Sequence, residues 1–101
     1  MNLVKNNKVI REICEKNGIT FVGVFGSIAR KEDNEQSDVD LLISFAGKKS
    51  LLDLVRLERE FAQVVGREVD LLTKSSLSKY LRKRIESDIK VIYEGNVLGK
   101  I

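Results

Sequence analysis

At 101 residues, 43 % hydrophobic and 33 % charged, the chain has the composition of one small globular domain, spanning 1–101, rather than of a disordered or multidomain protein. A formal charge of +3, from 18 basic against 15 acidic residues, is too mild to mark a polyanion-binding surface, so no direct nucleic-acid contact is expected. One cysteine, Cys14, excludes an internal disulfide and agrees with a cytoplasmic location, while no apolar run nears the ~20 residues of a membrane span and the polar N-terminus lacks a signal-peptide core.

In chain order, Val4, Ile10, Ile13 and Cys14 share one face of a helix that ends at Asn17-Gly18, a pair suited to a left-handed cap. Ile19 to Phe25, rich in β-branched and aromatic residues, reads as a buried strand. Gly26-Ser27 breaks it, Ile28 to Lys31 forms a short helix, and Asn34 to Ser37 is a polar loop. Asp38 to Phe45 is a second strand, with Val39, Leu41 and Ile43 on one face and Asp38, Asp40 and Leu42 on the other.

Gly47-Lys48-Lys49 makes the next turn. Ser50 with Asp53 three residues later predicts a capping box that opens a helix, with Leu51, Leu54, Val55, Phe61, Ala62 and Val65 facing the core and Gly66 ending it. Glu68 to Thr73 is a third strand, Ser75 or Ser76 caps a fourth helix, and Ile89 to Tyr93 is a final strand. Helix and strand thus alternate four times, α-β-α-β-α-β-α-β, in an α/β or α+β layered domain.

The chemistry concentrates in Gly26-Ser27 and, after ten intervening residues, Asp38-Val39-Asp40. A glycine turn from strand into helix lets the backbone approach a ligand, and the free N–H groups there bind anions. Ser27 adds a hydroxyl, and Arg30, one turn on, can present a guanidinium to the same phosphates. Asp38 and Asp40 point the same way with Cα atoms roughly 7 Å apart. Two carboxylates that close repel unless a cation lies between them. With no histidine in the chain, the hard oxygen donors point to Mg²⁺ or Mn²⁺ rather than zinc.

A two-metal site wants a third carboxylate. If the third strand neighbours the second, Asp70 completes a triad or serves as the base for an attacking hydroxyl, with Glu68 at the strand entry as its competitor. The basic segment Lys74, Lys79, Arg82, Lys83 and Arg84 reads as a solvated helix face, with contact to an acidic partner or to nucleotide phosphates as the alternative, and Cys14 as a packed core residue.

Gly26-Ser27-Ile28-Ala29-Arg30, the spacing to Ser37-Asp38-Val39-Asp40-Leu41-Leu42, and the later Val69-Asp70-Leu71 resemble the nucleotidyltransferases of the DNA polymerase β superfamily. The small size resembles its minimal branch, whose members are commonly antitoxins paired with a HEPN-type RNase toxin. The resemblance implies a small mixed sheet flanked by helices, two Mg²⁺ ions, and ATP as donor. It matches Asp38, Asp40 and Asp70 to the metal-binding catalytic acids, and Gly26, Ser27 and Arg30 to the nucleotide-binding turn. It further implies AMP transfer to a tyrosine of the toxin partner. Many members carry glycine where this chain has Lys31, a departure confined to the phosphate turn. Two other readings stay open at this point: a non-catalytic antitoxin that occludes its partner, and nucleotidyl transfer to a small molecule. Oligomer formation is left open as well.

Overall fold

The apolar stretches read as strands pair into one sheet whose order differs from their order along the chain. The computed structural model describes residues 7–26 and 38–95. Within them run α1 (Asn7–Asn17), β1 (Ile19–Phe25), β2 (Val39–Phe45), α2 (Leu51–Val65), β3 (Val69–Thr73), a 3₁₀ turn (Lys74–Ser76), α3 (Lys79–Asp88) and β4 (Lys90–Glu94). The four strands lie in the order β3-β2-β1-β4. β1 is antiparallel to both β2 and β4, whereas β2 and β3 are parallel, so the sheet is mixed, as the resemblance implies. Parallel neighbours need a crossover, and α2 supplies it. The short helix expected over Ile28 to Lys31, the loop Asn34 to Ser37, and Val4 lie outside the described residues.

Alternation along the strands builds the core. Val22, Val24, Val39, Leu41, Ile43 and Val69 present one sheet face to Ile10 and Cys14 of α1 and to Leu57 and Phe61 of α2. β2 is an inner strand, and Leu41, Leu42 and Ile43 are all buried, as both faces of a central strand require. Gly23 faces the opposite side. A Cβ there would stand 2.6 Å from the Ile89 side chain, so a glycine lets the segment after α3 lie close on β1.

Helix ends follow local chemistry. Ser50 and Asp53 form the expected capping box, with the Ser50 Oγ accepting from the Asp53 backbone N–H at 3.2 Å and the Asp53 carboxylate accepting from the Ser50 N–H at 3.2 Å. Those hydrogen bonds, first from the Ser50 backbone and then from its hydroxyl, hold the Asp53 carboxyl below its ordinary range. Gly66 ends α2 with φ +80 and its N–H on the Ala62 carbonyl. Buried Asn17, at the end of α1, donates to the Ile13 carbonyl at 2.8 Å and accepts from Arg56 at 3.2 Å, tying α1 to α2.

Two local expectations are corrected. α3 is capped by Ser78, whose Oγ accepts from the Leu81 N–H at 3.1 Å, and not by Ser75 or Ser76, which lie in or at the end of the 3₁₀ turn. The 3₁₀ turn takes up Ser75 and Ser76, and the extended backbone at Leu77 delays the helix start to Ser78. On α2 the buried residues are Leu57 and Phe61, while Leu51 is 76 % exposed and Val55 is 40 % exposed. Leu54, Leu57 and Phe61 follow the i, i+3, i+7 line of one helix face; Val55 lies off it.

Candidate active site

The end of β1 and the start of β2 are antiparallel neighbours, so the glycine turn and the paired acids meet at one corner of the sheet. Phe25 pairs with Asp40, and Gly26 follows directly. Gly26 adopts φ +78, the left-handed region. A Cβ at that position would come 2.5 Å from the Asp40 Oδ2 and 3.4 Å from its Cγ. Glycine is therefore required twice, by the backbone angle and by the carboxylate packed against it. The sequence placed both residues in one site, but their direct contact has no signature in the spacing.

The parallel pairing of β2 with β3 sets Val39 against Val69 and Asp40 against Asp70. In-register residues on adjacent strands have Cα atoms roughly 4.8 Å apart and project from the same face, so Asp40 and Asp70 stand side by side. The Val39 N–H donates to the Glu68 carbonyl at 2.9 Å and continues this ladder to the mouth of the strands. Asp38 lies one residue before β2, exposed, on the Asp40 side of the alternation. Glu68 likewise precedes β3 and is exposed.

Asp70 lies on the edge strand and borders a shallow recess of about 330 Å³ lined with Glu58, Arg59 and Glu68. The Glu58 carboxylate accepts from the Leu71 N–H at 3.1 Å, which ties α2 to the strand carrying Asp70. Arg59, which lines the same recess as Glu58, Glu68 and Asp70, was not among the residues singled out from sequence. Its place depends on how α2 lies on β3, and helical periodicity carries no mark of that. Ser27 and Arg30 lie outside the described residues.

Carboxylate oxygens are the donors that Mg²⁺ or Mn²⁺ takes. Among the described residues, no three acids converge closely enough to enclose an ion by themselves. The arrangement is a side-by-side pair with a third carboxylate at the rim. Mg²⁺ usually keeps several waters and is held by one or two carboxylates together with substrate phosphates, so this open platform fits it better than an all-protein cage would.

Comparison with known proteins adds the family. The profile described as polymerase beta nucleotidyltransferase matches residues 7–97. The chain belongs to that nucleotidyltransferase family. A candidate protein adenylyltransferase of Methanocaldococcus jannaschii is 46 % identical over 85 residues, covering 84 % of this chain and 91 % of that protein. The protein adenylyltransferase MntA of Thermococcus cleftensis is 39 % identical over 79 residues, covering 78 % and 80 %. Among solved structures, a minimal nucleotidyltransferase superposes with TM-score 0.76 at 32 % identity, over 88 % of this chain and 91 % of that one. A toxin–antitoxin complex with AMP-PNP gives TM-score 0.75 at 21 % identity, over 88 % and 73 %. The Shewanella oneidensis complex of a tri-AMPylated HEPN toxin with its MNT antitoxin gives 0.70 at 18 %, over 97 % and 77 %; these last two show likeness of fold. The expected nucleotidyltransferase fold and class are thereby established for this chain.

Proposed function

We propose that this nucleotidyltransferase is a protein adenylyltransferase that moves AMP from ATP onto a hydroxyl, a tyrosine in the first instance, of a HEPN-type toxin, and so acts as the antitoxin of a cytoplasmic pair. One observation carries the reading: Asp40 and Asp70 stand in register on parallel strands beneath a glycine turn that leaves no room for a side chain. Relatives named as adenylyltransferases, at 46 % and 39 % identity over most of both chains, support the reaction class. The partner class is proposed from proteins of the same fold that were captured with HEPN toxin or with a nucleotide analogue.

In the proposed reaction the acceptor oxygen attacks the α-phosphorus of ATP in line. The new O–P bond forms as the bond from that phosphorus to the α–β bridging oxygen breaks, and pyrophosphate leaves. Asp38, Asp40 and Asp70 would hold Mg²⁺, or Mn²⁺ in its place, as two ions. Divalent cations held there supply neutralisation of the charge that builds on the phosphate oxygens. Asp70 also takes the proton leaving the acceptor. Gly26 keeps the backbone low against the Asp40 carboxylate, and we assign the Ser27 hydroxyl and the Arg30 guanidinium to the triphosphate.

The test is to incubate the chain with Mg²⁺, ATP and a purified HEPN-type partner and to measure intact masses. An AMP-sized increment on the partner, lost with Asp40→Asn, is expected. Partner inhibition that persists with Asp40→Asn and without ATP would mean occlusion, and the catalytic reading would fall.

A further inference from the structure

At the opposite end of the strands from the acids, β2, the turn into α2 and the 3₁₀ turn after β3 enclose a cleft of about 500 Å³. Asp40 and Ile43, the first β2 residue to line the cleft, are three residues apart, so the cleft begins about 10 Å along the sheet from the carboxylates. Among the described residues, its cations are Lys48, Lys49 and Lys74, hydroxyls come from Ser44, Thr73 and Ser75, and no acid lines it. The size falls in the range of small-ligand sites.

Two of the three lysines rest on aromatic rings. The Lys74 Nζ sits 3.9 Å from the centre of the Phe21 ring, and the Lys49 Nζ lies 5.9 Å from that of Phe45. An aromatic face steadies an ammonium group without neutralising its charge as a carboxylate would. The Arg82 Nη2 donates to the Lys74 carbonyl at 2.9 Å, which brings a fourth cation to the rim. The nearest acid in the chain to the lining residue Leu54 is Asp53, whose carboxylate is engaged by Ser50 and Arg56 and is also within the field of Lys49.

We propose that this cleft is a second anion site, separate from the acidic corner, that takes the phosphate chain of a di- or triphosphate. Three lysines and three hydroxyl residues around one cleft match the charge and the many acceptor oxygens of such a chain, and each ammonium has three donors to give. A single carboxylate, by contrast, would leave most of these donors unmet. The inference does not depend on the adenylyltransferase reading. Its two ends of opposite charge make the sites separable by chelation, because the acid pair repels phosphate unless divalent cations are present.

The experiment is titration calorimetry of the whole chain with inorganic tripolyphosphate in EDTA. One equivalent is expected to bind, with affinity falling as salt rises. The Lys49→Met/Lys74→Met double variant should weaken binding at least tenfold, whereas Asp40→Asn should leave it within twofold. Thermal unfolding of the double variant, expected within a few degrees of the parent, checks that it folds. Amide shifts confined to Ser44, Thr73 and Ser75 in NMR spectra of the parent chain give a readout that needs no variant. ATP in EDTA separates the sources: equal affinity assigns recognition to the phosphate chain, and tenfold tighter ATP binding extends the site to the nucleoside. No binding in EDTA, loss of binding with Asp40→Asn, or binding of polyglutamate in preference to tripolyphosphate would overturn the proposal.

Discussion

Replacing Gly26 by alanine separates the two demands placed on that residue, because Gly66 carries only one of them. Both have strongly positive φ, +78 and +80. A Cβ at Gly66 meets nothing within 4 Å, whereas one at Gly26 stands 2.5 Å from the Asp40 Oδ2. The backbone term is common: an L-residue in the left-handed region costs roughly 1–2 kcal/mol. For a domain of this size that lowers the unfolding midpoint by roughly 4–8 °C per kcal/mol. Only Gly26→Ala must also displace a carboxylate, by nearly 1 Å to reach ordinary contact, and a misplacement of that order costs about 10²-fold in rate. The expected result is therefore a similar loss of stability in both variants, with AMP transfer falling about a hundredfold in Gly26→Ala and staying near wild type in Gly66→Ala. Differential scanning calorimetry and a mass-based transfer assay read the two effects. Equal activity in both variants would refute the argument that Gly26 positions Asp40.

Asp70→Asn should lower transfer by at least ~10³-fold, yet in chelator it should leave the unfolding midpoint unchanged or raise it, since like charges directly opposite on neighbouring strands destabilise by roughly 0.2–1 kcal/mol; chemical denaturation measures the change. Leu57→Ala should cost about 2–5 kcal/mol, because Leu57 is fully buried. Leu51→Ala, at 76 % exposure, should shift stability by no more than about 0.5 kcal/mol, and urea midpoints distinguish the two. Burial, with a smaller contribution from Glu15, pushes the Cys14 thiol up from 9.0 to about 12. The folded state thus keeps a proton that the unfolded chain releases, so stability is full below pH 9 and falls between pH 9 and about 12. Cys14→Ala should flatten that slope, and in the native wild type the thiol should resist iodoacetamide at pH 8.

Much of this molecule is legible residue by residue because the forces concerned are local. Period-two alternation alone places Asp38 and Asp40 on one side of a strand and Val39, Leu41 and Ile43 on the other. The Ser50–Asp53 box and the glycine at the end of α2 are set by hydrogen bonds within a few residues, and both occur as the sequence indicates. The bounds of β1 also coincide with the expected Ile19 to Phe25. The expected cap at Ser75 or Ser76 was wrong because an intervening 3₁₀ turn, which carries no distinct local signal, moves the helix start to Ser78. The apolar residues of α2 failed in a related way. Hydrophobicity names candidates, but only the helix's seat on the sheet buries Leu57 and leaves Leu51 in solvent.

Pairing between distant strands belongs to the tertiary structure. Thirty residues separate Asp40 from Asp70, and nothing in that interval encodes a register; the α2 crossover and the packing of Val69 into the core align them. The contact of Gly26 with Asp40, the place of Arg59 and Asp70 around one recess, and that of Lys48, Lys49 and Lys74 around one cleft at the far end have the same origin. The sequence by itself singled out the acids and the glycine turn proposed to hold phosphate, and gave the nucleotidyltransferase class, since these are matters of residue type and short spacing. Which carboxylate stands beside Asp40, and that a basic cleft lies at the other end of the same strand, was decided only when the chain folded and non-local packing fixed the order β3-β2-β1-β4.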